Sequence, residues 1–137
     1  MKKRIVIKIG SNVLTRKDGK LDVTRMSALV DQIAWLRRQD MEVILVSSGA
    51  VACGRRELTV DHSLDSVEQR QLFSAVGQVK LVGLYYDLFR EFGIHVGQVL
   101  TMKENFEPGE QYCNQRACMT VMLENDVLPI VNENDNS

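Results

Sequence analysis

Four apolar runs along the chain each stop at a small or polar cluster. RIVIKIG ends at Ser11 and Asn12, EVILV at Ser47 through Ala50, HVGQVL at Thr101, and VLPIV at Asn132 through Asp135. Short apolar runs bounded this way read as buried strands. The expected strands are Ile5 to Ile9, Glu42 to Val46, Ile94 to Leu100 and Val127 to Val131. Between them the period changes from two to 3.6. Met26, Leu29, Val30, Ile33 and Leu36 predict an amphipathic helix over Thr24 to Gln39. A short helix is expected to open near Ser48, a long one to run from Ser66 to Phe92, and a third from Tyr112 to Glu124. Gly93 reads as a helix C-cap. Gly77 and Gly83 lie inside the long helix, where each costs about 1 kcal/mol against alanine. They are either tolerated there or mark close packing against another helix or a subunit. Lys17 to Lys20, Thr59 to Asp65 and Lys103 to Gln111 read as turns or loops. Pro129 cannot donate to a ladder, so it marks an edge, a bulge or a strand end.

Strand, helix, strand in alternation predicts an α/β fold whose parallel sheet is covered on both faces. In such sheets ligands bind at the carboxyl ends of the strands. Those ends are where this chain places its glycines, hydroxyls and carboxylates. A length of 137 residues points to one domain. A parallel sheet that stops directly after a strand reads as the front part of a larger one.

Composition removes several classes. Hydrophobic residues make up 45% and charged residues 26%, with a net charge of -1 and a pI near 6.1. Nucleic acid and anionic membrane surfaces both call for a basic face, so neither is an expected partner. No secretory signal is read at the amino terminus, because Lys8 breaks the apolar run, and no run is long enough to span a membrane. Cys53, Cys113 and Cys118 include no CxxC pair and read as reduced thiols of a cytoplasmic protein; Cys118 reads as a helix-packing residue. His62 and His95 lack ligand spacing, and no metal site is expected.

Candidate chemistry therefore gathers at the strand ends. Lys8 interrupts an apolar strand near its carboxyl end; buried there it would need an anion such as a ligand phosphate, and at a sheet edge it would reach solvent. Gly10 and Ser11 follow, glycine allowing a sharp turn and close approach of backbone amides to a ligand. There is no GxxxxGK[ST] loop and no GxGxxG fingerprint. Ser48, Gly49 and Ala50 occupy a strand-to-helix turn, where free N–H groups favour anions and where Ser48 alternatively serves as a plain N-cap. Asn132 to Asp135 add amides and carboxylates, and a carboxylate at a strand end can hold an ammonium group. Asp22, Asp40, Glu42, Arg37 and Arg38 read as solvated charges.

Taken in order, KIGSNVLT, VSSGAVACG, AVGQ at Ala75 to Gln78, GIHVGQVL and PIVNEND resemble the glutamate 5-kinases of the amino acid kinase superfamily over essentially the entire chain. The resemblance implies a three-layer α/β/α sandwich with a mainly parallel central sheet. It implies phosphoryl transfer from ATP, with Mg²⁺, to the γ-carboxylate of L-glutamate, the first step toward proline. Lys8 matches the family's phosphate-contacting lysine, and the same match assigns Gly10 and Ser11 to ATP. Ser48 and Asp135 match its glutamate-binding positions, with Gly10, Gly49 and the rest of the Asn132 to Asp135 cluster shaping that pocket. A cytoplasmic homo-oligomer inhibited by proline is implied as well. Residues 1–137 would then be the N-terminal, substrate-binding part of the kinase domain, with the nucleotide-binding half outside the chain and little activity expected from this piece alone. Where the family pattern resembles Asn-Ala-Arg followed by a polar pair, this chain reads Asn114, Gln115, Arg116, Ala117 and Cys118.

Overall fold

The computed structural model describes residues 2–60, 63–99 and 108–133, the last stretch with side chains from Arg116 onward. Four strands form one parallel sheet: β1 (Lys3–Ile9), β2 (Met41–Ser47), β3 (His95–Gln98) and β4 (Val127–Asn132), in the order β1-β2-β4-β3. Five helices connect them: α1 (Ser11–Leu14), α2 (Val23–Arg38), α3 (Ala50–Glu57), α4 (Ser66–Arg90) and α5 (Pro108–Glu124). The α/β expectation holds, and the four expected strands are present. The reading of Lys103 to Gln111 as a loop is corrected in part, because α5 already begins at Pro108; the residues before it lie outside the described ones.

Each element has a local cause. Asp22, read from sequence as a solvated charge, instead caps α2 by accepting from the Arg25 N–H at 3.0 Å. Asp65 and Glu68 form a reciprocal capping box at the start of α4. Gly93, at φ 68°, ends the same helix; its N–H donates to Arg90 O and the Ile94 N–H to Phe89 O, the paired bonds of a Schellman turn. Pro129 sits in β4, a central strand rather than an edge. The β2 ladder to β4 begins one residue later, at Leu45 beside Ile130, so the missing amide falls at the end of that ladder.

The chain crosses the sheet in one direction from β1 to β2 to β3 and then steps back to β4. Right-handed crossovers therefore put α2 and α4 on one face and α5 on the other. Side chains agree. Val43, Leu45, Leu128 and Ile130 meet Met26, Ile33 and Leu81 in the core under α2 and α4. On the opposite face, Met122 of α5 packs where a Cβ on Gly97 would stand, 3.2 Å from its sulfur. The result is three layers, with α1 and α3 following the carboxyl ends of β1 and β2.

Candidate functional site at the carboxyl edge of the sheet

Register brings the predicted residues together. Ile9, Ser47 and Asn132 stand in one row at the ends of β1, β2 and β4. The ladder runs one step further: the Ser48 N–H donates to Ile9 O at 2.9 Å and the Glu133 N–H to Ser47 O at 3.0 Å. Gly10–Ser11, Ser48–Gly49 and Asn132–Glu133 thus leave the sheet side by side. Gly49 adopts φ 107°, in the left-handed region, and its missing Cβ would lie 3.6 Å from Leu14 Cδ1 and 3.8 Å from Ser11 Cα. The second turn leans directly on the first.

Two alternatives left open by the sequence, at Lys8 and Ser48, are decided here, and the sharp turn expected at Gly10 is corrected. Lys8 is not buried: β1 is an edge strand whose Ile5, Ile7 and Ile9 point inward while Arg4, Val6 and Lys8 point out, and the Lys8 side chain is 65% exposed. Gly10 makes no sharp turn, since its φ of -80° and ψ of 161° are extended backbone; a Cβ there would meet nothing within 4 Å. Ser48 is not an N-cap. Gly49 holds that position, and no side-chain cap hydrogen bond is made there among the described residues.

The lysine still finds an anion. Lys8 Nζ reaches over β2 to Glu133 Oε1 at 2.9 Å, an ion pair between strands two apart in the sheet. The strand-end carboxylate that holds an ammonium is therefore Glu133, which sequence reading placed in the Asn132 to Asp135 cluster without singling it out. Beside it, Asn132 Oδ1 and Glu133 Oε2 are buried oxygens with no hydrogen-bond partner among the described residues. Both are acceptors, and a cationic N–H donor would satisfy either. Asp135, Thr101 and His62 lie outside the described residues. Ser48 is buried, 1% exposed, within the turn rather than projecting from it.

Sequence reading also missed what holds the central turn in place. Ser47 Oγ donates to Ser48 O at 3.2 Å and shares a 2.9 Å hydrogen bond with the hydroxyl of Tyr85 on α4. All three residues are buried. The available signal was a phenol in the core stripe Phe73, Gly77, Leu81, Tyr85, Phe89, opposite a serine closing a buried strand. Tyr85→Phe leaves Ser47 one partner short, and we expect a loss of about 1–2 kcal/mol in urea unfolding. Burial raises the Tyr85 phenol above 10.0, with a partial offset from Ser47, and burial raises the Cys53 thiol above 9.0. An acid kept neutral by the fold ionises more readily once unfolded. Stability is therefore intact at neutral pH and falls as pH climbs past about 9 to 10. In Tyr85→Phe the fall beyond about pH 10 becomes shallower.

Cys118, expected to pack a helix, is exposed on α5. Among the described residues no three His, Cys, Asp or Glu side chains are grouped to hold a metal ion, and no helix is long and apolar enough to cross a membrane.

With this geometry in view, likeness to known proteins is informative. A family model described as the Amino acid kinase family matches residues 3–137. A glutamate 5-kinase of Bacteroides thetaiotaomicron is 69% identical over 132 residues, which is 96% of this chain and 37% of that protein. One from Chlorobaculum tepidum is 44% identical over 133 residues, 97% of this chain and 37% of its own length. The chain thus spans a little over a third of the curated relatives it matches. A solved structure of isopentenyl phosphate kinase from T. acidophilum superposes with a TM-score of 0.63 over 99% of this chain and 58% of its own, at 14% identity, and so shares the fold.

Proposed function

The chain belongs to the amino acid kinase family, and from that premise we propose that its carboxyl edge is the acceptor side of a glutamate 5-kinase site. Residues 1–137 form the N-terminal, substrate-binding part of the kinase domain in this reading. The γ-carboxylate oxygen of L-glutamate attacks the γ-phosphorus of ATP, the bond to the β-phosphate oxygen breaks, and L-glutamyl 5-phosphate and ADP leave. The acceptor is already ionised, so no general base is required. The work is to bring two anions together and to offset their charge.

Lys8 is the group for that task, as a mobile point charge that releases Glu133 and turns to the transferring phosphoryl group. Gly10 leaves open space beside the strand for the phosphates, and Ser11 with the uncapped amides after Gly49 would line their approach. Asn132 Oδ1 has no donor among the described residues, and the substrate ammonium would supply one, with Asp135 as its counter-ion. Ser48 is assigned to a substrate oxygen. Mg²⁺ would enter on the nucleotide's phosphates. Proline as a feedback inhibitor and a cytoplasmic location belong to the same reading.

The observation that carries the proposal is the Lys8–Glu133 ion pair, which sets the lysine at the rim shared by all three strand-end turns. The test is a hydroxylamine trap on protein expressed from the complete gene. With ATP, Mg²⁺ and L-glutamate we expect γ-glutamyl hydroxamate, and in Asp135→Ala a rise in KM for glutamate of at least about tenfold. Hydroxamate from aspartate but none from glutamate would overturn it.

A further inference from the structure

Among the described residues, the buried side-chain atoms without a hydrogen-bond partner are Gln78 Oε1, Asn132 Oδ1 and Glu133 Oε2. All are acceptors. Asn132 and Glu133 belong to the strand-end cluster already described. Gln78 does not: it lies in the middle of α4, next to the glycine that meets α3. Burying an amide oxygen without a donor is unfavourable, so such an atom marks a place where a donor is expected to arrive.

Tyr85 fixes where Gln78 stands. Seven residues turn a helix by about 700°, within about 20° of two full turns, so Gln78 shares a side of α4 with Tyr85 and lies about 10 Å nearer its amino end. Tyr85 reaches Ser47 at the carboxyl end of β2. Helix α4 runs against the strands, because it returns the chain to the start of β3. Gln78 therefore stands beyond the strand ends, level with the turn after Ser47, whose Ala50 carbonyl lies against Gly77. Asn132 comes to the same side from the sheet. It pairs with Ser47 across the β2–β4 ladder, and paired residues of a parallel ladder point to one face. Ser47 turns toward α4, and Asn132 follows Leu128 and Ile130, which point into the core beneath that helix. Lys8 projects from the opposite face of the sheet. The two amide oxygens thus border one space between the end of β4 and α4.

We propose that Gln78 is a specificity-determining residue of the acceptor site: its Oε1, together with Asn132 Oδ1, accepts from the α-ammonium group of the amino-acid substrate. This rests on the glutamate kinase reading above. An ammonium group carries three N–H donors and no acceptor, so two neutral amide oxygens take two of them. A hydroxy acid would offer a single donor, and a plain dicarboxylate none. A site whose buried acceptors stay unpaired rejects such analogues strongly. The placement also gives the substrate a direction. Its ammonium end lies on the α4 side of the carboxyl edge, which leaves the γ-carboxylate for the side of Lys8, where the phosphoryl group is to arrive.

Gln78→Met, in protein expressed from the complete gene, removes the acceptor at similar volume. The hydroxylamine trap gives kcat/KM for L-glutamate and for glutarate, which lacks the α-ammonium. The wild type is expected to favour glutamate at least about a hundredfold. Gln78→Met should narrow that preference at least about tenfold, with KM for ATP unchanged. Gln78→Glu keeps acceptor oxygens and should keep the preference. Without substrate, the melting temperature of Gln78→Met should not fall, because the change removes an unpaired buried oxygen; its rise on adding glutamate should shrink. An unaltered preference in Gln78→Met would overturn the inference, and so would a wild type indifferent between the two acceptors. Equal losses with both acceptors and a lower melting temperature would make the residue structural and overturn it too. A wild type that forms no glutamyl hydroxamate would instead remove the glutamate kinase reading, and the role of Gln78 with it.

Discussion

Gly77→Ala is expected to lower the stability of this protein by more than about 3 kcal/mol, against the usual preference of helices for alanine. A Cβ on Gly77 would stand 1.8 Å from the carbonyl oxygen of Ala50 and 2.5 Å from the amide nitrogen of Gly54. One on Gly54 would stand 1.8 Å from the carbonyl oxygen of Phe73. Helices α3 and α4 therefore cross backbone to backbone, with a glycine from each at the crossing. No rotamer change can relieve a clash with backbone, so α3 must move. Because α3 starts immediately after Gly49, that movement displaces the turn carrying Ser48, and ligand binding should fall with stability. Gly83 gives the contrast: it is in the same helix with open space around it, so Gly83→Ala should gain about 0.5–1 kcal/mol. Urea unfolding of both variants beside the parent measures the two effects. Equal midpoints for Gly77→Ala and its parent would show that the two helices do not cross so closely.

Lys8→Ala should cut kcat on the order of 10²-fold or more in protein expressed from the complete gene, with little change in folding. The two effects separate because of where the lysine sits. Its side chain is 65% exposed and its ion pair to Glu133 is at the surface rim. Exposed pairs contribute less than about 1 kcal/mol, so losing this one leaves the sheet intact. A transferring phosphoryl group, by contrast, would lose the cation that offsets its charge. Lys8→Arg keeps the charge but replaces a compact ammonium with a broader fork, and should recover only part of the rate. Parallel kinetics and thermal melts decide the matter. Unchanged turnover in Lys8→Ala would remove the residue from the mechanism, whereas a collapse of the melting transition would make its role structural.

Much of the framework was legible because it depends on local pattern. Ile5, Ile7 and Ile9, or Met26, Val30 and Ile33, announce their element through spacing alone. Glycine 93 announces a helix end because few other residues accept its φ of 68°. The site was partly legible for the same reason: small and polar residues closing apolar runs mark strand ends wherever those strands lie. Burial or exposure of Lys8 stayed open because an apolar strand looks alike at the centre and at the edge of a sheet, and only strand order tells them apart. Tyr85 was passed over, and Glu133 was not singled out within its cluster, because their partners, Ser47 and Lys8, are far away along the chain.

What the sequence determined unaided is the inventory: four strands, the principal helices that join them, and the composition of each turn. Tertiary structure alone decided which turns become neighbours. Spacing along a chain sets which face a side chain occupies, since that follows from backbone periodicity. Distance between strands depends on hydrogen-bond register and on the order β1-β2-β4-β3, and these are chosen by the packing of the whole core. The reach of Lys8 to Glu133, the support of Ser47 by Tyr85 and the glycine crossing of α3 with α4 all come from that choice.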